Sequence, residues 1–376
     1  MKEVAIIQTV RVAVALLVGV VLPAVGIAAS KRMLAGRVRT VVNHRGVEVP
    51  VDLWVVWVFW AVGASLVLAV ADIAYAFESA SQVEGVGLAY VSLAVAPLRS
   101  MWPALVLGTL VAGLVDDLFG DREFRGFAGH LGALAKGRLT TGMLKLVGVG
   151  AFSAGAVGVV ARDLAPWAVE TEGWARAGAF LAATATVALC ANLANLLDVR
   201  PGRLAKVATA SAFTLGLVVA LTGSGVWAVW SAVGDSPVAG RIMSGVSLFL
   251  LVAGPLLVVW EADHKERGML GDAGSNPAGA LVGLALVGTV GVVGLVAALV
   301  VVAALNLLSE KVSFSALIED APLLRALDSL GRVEPSRAGE TDESATQPAG
   351  RFDGSGATAG QSSVCSDETP EKSDER

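Results

Sequence analysis

The sequence predicts an all-α fold, a polytopic transmembrane helix bundle of about eight to ten spans, from three observations. The 376-residue chain is 55% hydrophobic and only 16% charged, whereas soluble domains carry about 25% charged residues. Its apolar residues fall into stretches of the roughly 20 residues that a membrane span requires. Its basic residues concentrate in every second loop between those stretches. The chain is therefore expected to cross a membrane repeatedly.

The apolar stretches place the predicted spans in order along the chain. Seven of them lie near 8–29, 53–76, 90–115, 143–161, 177–197, 207–231 and 241–260. A last stretch, 277–308, would form a helix of about 48 Å, which exceeds the ~30 Å hydrocarbon core. We therefore expect two short helices there, broken near Gly288 or Gly291. One long tilted helix is the alternative.

Composition divides the chain into three parts. Residues 1–308 form the predicted transmembrane domain, 309–332 a short post-membrane segment, and 333–376 an acidic tail. The tail holds ten acidic and four basic residues and almost no large apolar one. It cannot bury enough apolar surface to offset the entropy of ordering, so we expect it to be disordered.

The distribution of Lys and Arg predicts the orientation of the bundle. The basic loops are 30–52, 116–145, 198–206 and 261–276. Together they hold fifteen Lys and Arg residues, whereas the alternate loops hold two. The positive-inside rule therefore places the basic loops in the cytoplasm and the N-terminus outside.

Four aspartates lie at predicted helix ends on this same side. They are Asp116 and Asp117 in GLVDDLFGD, Asp198 in NLANLLDVRPG and Asp272 in MLGDAGSNPAG. An acid beside a hydrocarbon span is costly to keep and indicates a functional site. Acids gathered from three distant segments indicate a site that binds a metal ion and handles phosphate. For the Asp116-Asp117 pair alone, two solvated loop acids are the alternative.

Further polar residues accompany the aspartates. Lys136 and Lys145 are cations that suit a diphosphate substrate, although positive-inside topology also explains basic residues here. Asn192 and Asn195, spaced i, i+3, lie near one helix face about one turn before Asp198. Their amides either bind a ligand or hold two helices together.

The segment around Asp272 predicts a Gly-rich turn followed by a helix. Ser275 or Asn276 would cap that helix, and Pro277 suits its first turn. Backbone N–H groups at such a helix start could cradle a phosphate.

Four motifs together resemble those of a known enzyme superfamily. They are GLVDD (113–117), KGRLTTGMLKL (136–146), NLANLLD (192–198) and MLGDAGS (269–275). In this order they resemble the polyprenyl-phosphate N-acetylhexosamine-1-phosphate transferases, which include phospho-N-acetylmuramoyl-pentapeptide transferase and the undecaprenyl-phosphate GlcNAc-1-phosphate transferases. The resemblance covers roughly 30–308 in order and topology.

The resemblance implies a bacterial plasma-membrane enzyme with a cytoplasmic active site. Such an enzyme moves a sugar-1-phosphate from a UDP-sugar to a polyprenyl phosphate and releases UMP. By the resemblance, Asp272 would coordinate Mg²⁺, and Asp116 or Asp117 would act as a base on the lipid phosphate. Asp198 and Asn195 would help to position substrate or metal.

Partners and alternatives follow from the same comparison of motifs. Lys145 matches a family lysine near the diphosphate. The implied partners are a polyprenyl phosphate, a nucleotide-sugar and the membrane, with no nucleic acid, and the abundant small residues permit a homodimer. The segment 309–332 lacks the histidine-rich loop of the peptidoglycan and GlcNAc-lipid enzymes, and Pro201 stands where the peptidoglycan enzyme has an acid. A catalytically silent lipid-binding paralogue is therefore one alternative. A membrane transporter is another, because transporters also keep polar residues in their spans.

Overall fold

The computed structural model describes most of the chain up to residue 331. The described residues are 2–33, 38–43, 45–81, 95, 98–99, 103–120, 129, 132–133, 135–138, 140–163, 165–227 and 237–331. Outside them lies the predicted acidic tail, 333–376. Most of residues 90–102, which begin the predicted third span, also lie outside them.

Helices form nearly all of the described structure. In chain order they are α1 (Lys2–Leu16), α2 (Leu22–Met33), α3 (Val55–Ser81), α4 (Pro103–Phe119), α5 (Thr141–Arg162), α6 (Pro166–Glu170), α7 (Gly173–Leu197), α8 (Arg203–Thr222), α9 (Pro237–His264), α10 (Gly271–Val287), α11 (Val292–Ser309), α12 (Phe314–Asp320) and α13 (Pro322–Ser329). A π-helical turn, Leu17–Val21, joins α1 to α2 without a break. The segment 309–332 thus contains two short helices.

Seven helical stretches among the described residues are long and apolar enough to cross a membrane. The first, Ile7–Met33, runs through α1 and α2, and the others lie in α3, α5, α7, α8, α9 and α11. Helices α4 and α10 are also apolar but have 17 residues each. The prediction of an all-α, multi-pass bundle is confirmed at this level.

Glycines decide two of the predicted helix boundaries. The stretch 277–308 is divided between α10 and α11, with Gly288 and Gly291 as the caps on either side of the break. The expectation of two short helices is therefore confirmed. By contrast, the predicted span 207–231 is too long, because Gly223 adopts a left-handed backbone (φ +67°) and ends α8 at Thr222.

Helix α10 is the central helix of the bundle. Thirteen of its 17 residues are buried, and it packs against α3, α4, α5, α7, α8 and α9. Glycines allow the closest of these contacts. A Cβ atom at Gly279 would lie 2.2 Å from the carbonyl oxygen of Cys190 on α7, and one at Gly113 on α4 would lie 2.3 Å from that of Asp272. Small residues commonly allow such close packing between membrane helices.

A β-hairpin covers the end of the bundle where α10 begins, and it is not among the predicted elements. Its strands are β1 (Thr40–Val42) and β2 (Glu48–Pro50), paired antiparallel. The backbone N–H of Met269 donates to Pro50 at 2.8 Å, which joins the hairpin to the segment before α10. Nearby, Asn43 donates to the Glu266 carboxylate at 2.7 Å.

Candidate functional site

The site is built around the N-terminus of α10. This helix begins at Gly271, so Asp272 is its second residue and lies in its first turn. The prediction that Asp272 lies in a Gly-rich turn and that Ser275 or Asn276 caps the following helix is wrong, because the helix starts before all three residues. Ser275, Asn276 and Pro277 are instead buried inside α10.

Carboxylates from two other helices cap α10 instead. The Oδ2 atom of Asp117, in the last turn of α4, accepts the backbone N–H of Ala273 at 3.0 Å. The Asp117 carboxylate also accepts the N–H of Asp272, and Asp198 at the end of α7 accepts that of Gly271. The first N–H groups of a helix have no partner within it, and the helix dipole favours negative charge beside them. The N–H groups expected to cradle a phosphate therefore already bind protein carboxylates.

Lys145 is the cation that joins the other two acids. It is the fifth residue of α5, and its ammonium forms an ion pair with Asp272. Its Nζ atom is also 3.5 Å from the Oδ2 atom of Asp116, and its side chain is only 11% exposed. Lys145 and Arg39, whose charge also acts on Asp117, are two cations beside four aspartates. An excess of negative charge therefore remains at this end of α10.

Burial and the neighbouring acids act together on Asp198. Burial raises the pKa of Asp198 well above its ordinary value, and the neighbouring carboxylates of Asp263, Asp272 and Asp117 raise it further. Like charges at close range disfavour a second ionised carboxyl group, and a bound cation would relieve this repulsion.

A cavity of about 610 Å³ opens beside the aspartates. Its polar lining consists of Arg39, Asp52, Asp117, Asn195, Asp198 and Asp272. Its apolar lining includes Val38, Val41, Val51, Trp54, Leu114 and Leu118. This volume lies within the range of roughly 300–1,000 Å³ that is usual for ligand pockets. The cavity therefore combines charged groups with an extended apolar wall.

Two acids that the sequence prediction missed also belong to this end. Asp52, just before α3, lines the cavity, and burial raises its pKa above its ordinary value. Asp263, near the end of α9, is 4% exposed and accepts the backbone N–H of Gly202 at 3.1 Å. Both lie beside an apolar stretch on the basic side of the chain, which is the same signal that identified the other aspartates.

The remaining predicted site residues have different surroundings. The Oδ1 atom of Asn195 accepts the Ser275 hydroxyl at 3.3 Å, and Asn195 lines the cavity. Asn192 donates to the Oδ1 atom of Asn306 at 2.7 Å and so joins α7 to α11. Lys136 is exposed in a turn before α5. The structure thus brings the four aspartates, their lysine partner and Asn195 together, and it leaves Asn192 and Lys136 outside this group.

The aspartates are of the ligand type that suits Mg²⁺. Carboxylate oxygens are the ligands this ion prefers. Among the described residues, no three His, Cys, Asp or Glu side chains are grouped closely enough to hold a metal ion. Mg²⁺ commonly takes one or two protein carboxylates and completes its shell with water and substrate phosphates, so a partial set is compatible with it.

No protein-family model matches this chain, and a comparison with curated proteins gives no match either. The cluster and its cavity are therefore the basis for assigning a function.

Proposed function

We propose that the protein is an integral-membrane transferase that moves a sugar-1-phosphate from a UDP-sugar to a polyprenyl phosphate and releases UMP, with Mg²⁺ as cofactor. One observation carries the proposal. Aspartates from α4, α7 and α10 meet at one end of the bundle, beside a cavity with a charged wall and an apolar wall. A reaction between a nucleotide diphosphate and a lipid phosphate needs both walls, because one substrate is highly charged and the other carries a long apolar tail.

The proposed reaction exchanges one phosphorus–oxygen bond for another. An oxygen of the lipid phosphate attacks the phosphorus that carries the sugar, and the bond from that phosphorus to UMP breaks. Little covalent help is needed from the protein, since positioning and neutralisation of charge dominate phosphoryl transfer. Bound Mg²⁺ would supply that neutralisation on the diphosphate, and Asp272 is the residue proposed to hold it.

The remaining residues have roles that match their positions. Asp117 lines the cavity, so it is the member of the adjacent pair proposed to accept the proton of the lipid phosphate. The two N–H bonds that it accepts from α10 hold its carboxylate in one orientation. Asp198 and Asn195 line the same cavity and would position the substrates. Lys145 holds Asp116 and Asp272 together and adds positive charge beside the diphosphate.

We infer that this end of the bundle faces the cytoplasm of a bacterial cell. Residues from the loops rich in Lys and Arg meet here, and the positive-inside rule assigns such loops to the cytoplasm. Nucleotide-sugars are cytoplasmic metabolites, so this orientation would give the donor direct access to the cavity.

A transfer assay tests the proposal. Purified full-length protein is incubated with undecaprenyl phosphate, Mg²⁺ and a panel of labelled UDP-sugars, and labelled lipid is extracted. We expect lipid-linked product from at least one donor, equimolar UMP, and loss of both on chelation of Mg²⁺. Folded protein that binds the lipid but makes no product would instead indicate a catalytically silent paralogue. Solute uptake into proteoliposomes without product would indicate a transporter.

A further inference from the structure

The last two helices of the described residues, α12 and α13, lie at the end of the bundle where the aspartates meet, which we call the acidic end. The leucines Leu323, Leu327 and Leu330 are spaced i, i+4 and i+7 along and just beyond α13, so they form one stripe along its axis. These side chains are 72%, 51% and 60% exposed. An apolar stripe on a short helix normally faces a protein core. Here it faces outward.

An ion pair and two hydrogen bonds to backbone oxygens hold the other side of α13 against the bundle. Arg203, at the start of α8, donates Nε and Nη2 to the two carboxylate oxygens of Asp328 at 2.9 and 3.0 Å. Its Nη1 atom donates to Ser315 on α12 at 3.1 Å. Lys206 donates to the backbone oxygens of Asp328 and Leu327 at 2.7 and 3.2 Å. A two-point arginine–carboxylate pair imposes a definite orientation, so the leucine stripe cannot turn inward without breaking it.

This arrangement indicates an apolar environment outside the protein. A helix of eight residues has little stability of its own in water, so these contacts are what hold α13 in place. They hold it with a charged side on the bundle and a leucine side away from it. Such a helix matches the interfacial kind, in which the apolar face dips into the boundary between lipid headgroups and acyl chains.

The short connection between α11 and α12 indicates that the apolar environment of the leucine stripe is lipid. Only four residues, Glu310–Ser313, separate α11 from α12, so α12 starts within roughly 17 Å of the end of α11. Helix α11 is one of the helices able to span the membrane, and it exposes large apolar side chains such as Val293 and Leu307. The leucine stripe therefore follows, after a short turn, the apolar surface with which α11 would contact lipid.

We propose that α12 and α13 lie in the membrane interface at the acidic end, with the leucine stripe toward the acyl chains. The partner is the lipid surface itself, and the pair Arg203–Asp328 fixes the helices to the bundle. Since Arg203 begins α8 only five residues after Asp198, a lipid-bound element is thereby attached to the loop that carries a residue of the candidate site. The proposal requires insertion of the bundle in a membrane and does not depend on the transferase reaction.

Depth measurements with a spin label test this placement. The full-length chain with Cys365→Ser retains only the buried Cys190, so Leu327→Cys then provides the accessible thiol for a nitroxide. Arg325→Cys is the matched control, because Arg325 is exposed on the same helix but lies on another face. Both variants are reconstituted in phosphatidylcholine and phosphatidylglycerol vesicles. Collision rates with oxygen, which concentrates in lipid, are compared with those of a water-soluble nickel chelate.

We expect the ratio of the collision rate with oxygen to that with the nickel chelate to be several-fold higher at position 327 than at position 325. Equal ratios at the two positions would overturn the proposal, because the two faces of α13 would then share one environment. Dipolar broadening between labels at 327 would also overturn it, by showing that a second copy of the chain covers the stripe. Leu323→Cys serves as a second reporter on the same stripe if the first variant fails to fold.

Discussion

The two ends of α10 satisfy their free backbone groups with different chemistry. At the N-terminal end the partners are carboxylates, Asp117 and Asp198, which accept N–H groups of the first turn. At the C-terminal end the partners are neutral indoles, those of Trp167 and Trp227, which donate to carbonyl groups of the last turn. Both solutions meet the same requirement, since each end of a helix leaves backbone groups unpaired.

The comparison shows that the N-terminal end carries more charged groups than capping the helix requires. The indole Nε1 of Trp227 lies 3.1 Å from the carbonyl oxygen of Ala285, and that of Trp167 lies 3.0 Å from that of Val287. Neutral groups therefore suffice to end α10 inside the bundle. The N-terminal end instead gathers an excess of aspartates and opens onto a large cavity, and burial together with the neighbouring carboxylates raises the pKa of Asp198. Such a costly arrangement is expected where charge is used for binding or chemistry.

The largest expected effect comes from neutralising the acids at the N-terminal end. Asp272→Asn and Asp117→Asn each preserve side-chain volume and remove a negative charge. We expect each to lower sugar-phosphate transfer by about 100-fold or more, while thermal unfolding of the purified protein changes little. In the Asp117→Asn variant the new amide oxygen can still accept the N–H of Ala273, so the fold should persist. Transfer at the wild-type rate would remove that residue from the proposed mechanism.

The next effect concerns the close approach of α4 to α10, which places Asp117 at the N-terminal end. A Cβ atom at Gly113 would overlap the backbone of Asp272, so Gly113→Ala must push the two helices apart. We expect about 1–3 kcal/mol less free energy of unfolding and about tenfold slower transfer, because the reacting groups are displaced. Gly150→Ala on α5 is the control, since its Cβ would meet no atom within 4 Å. Equal behaviour of the two variants would show that this contact positions nothing.

A smaller effect defines how far the site extends along α7. Asn195 lines the cavity, whereas Asn192 is paired with Asn306. We expect Asn195→Ala to raise the KM of one substrate by about tenfold, which corresponds to about one hydrogen bond. Asn192→Ala should leave KM unchanged and reduce the free energy of unfolding by about 1 kcal/mol. The reverse result would place the substrate against α11 rather than in the cavity.

The smallest effect on transfer is expected at the neutral end. Trp227→Phe removes the hydrogen bond to Ala285 and keeps an aromatic ring in place. We expect the free energy of unfolding to fall by about 1–3 kcal/mol with no change in transfer rate. Chemical denaturation in detergent and the transfer assay measure the two quantities. A loss of transfer comparable to that of Asp272→Asn would show that the two ends do not have separate roles.

Local patterns in the sequence predict most of the fold and the residues from which the site is assembled. An acid next to an apolar stretch is visible in GLVDD, NLLD and MLGD without any structure. The same signal is present at Asp52 and Asp263, which lie outside the four motifs. Asn192 and Asn195 both fit the pattern of amides spaced i, i+3 on one helix face, yet they contact different neighbours in the structure. Three residues advance a helix by about 300°, so the two side chains lie roughly 60° apart and meet different neighbours.

The sequence by itself determined the all-α, multi-pass class, the order of the apolar helices, the break between Gly288 and Gly291, and the helix ends at which the aspartates lie. Only the tertiary structure decided that α10 is central, that Asp117 and Asp198 cap it in place of Ser275 or Asn276, and that Lys145 joins Asp116 to Asp272. The physical reason is the distance along the chain over which each interaction acts. Hydrophobic periodicity and capping preferences act over one or two helical turns. Which carboxylate meets which N–H group depends on how helices far apart in the chain pack together.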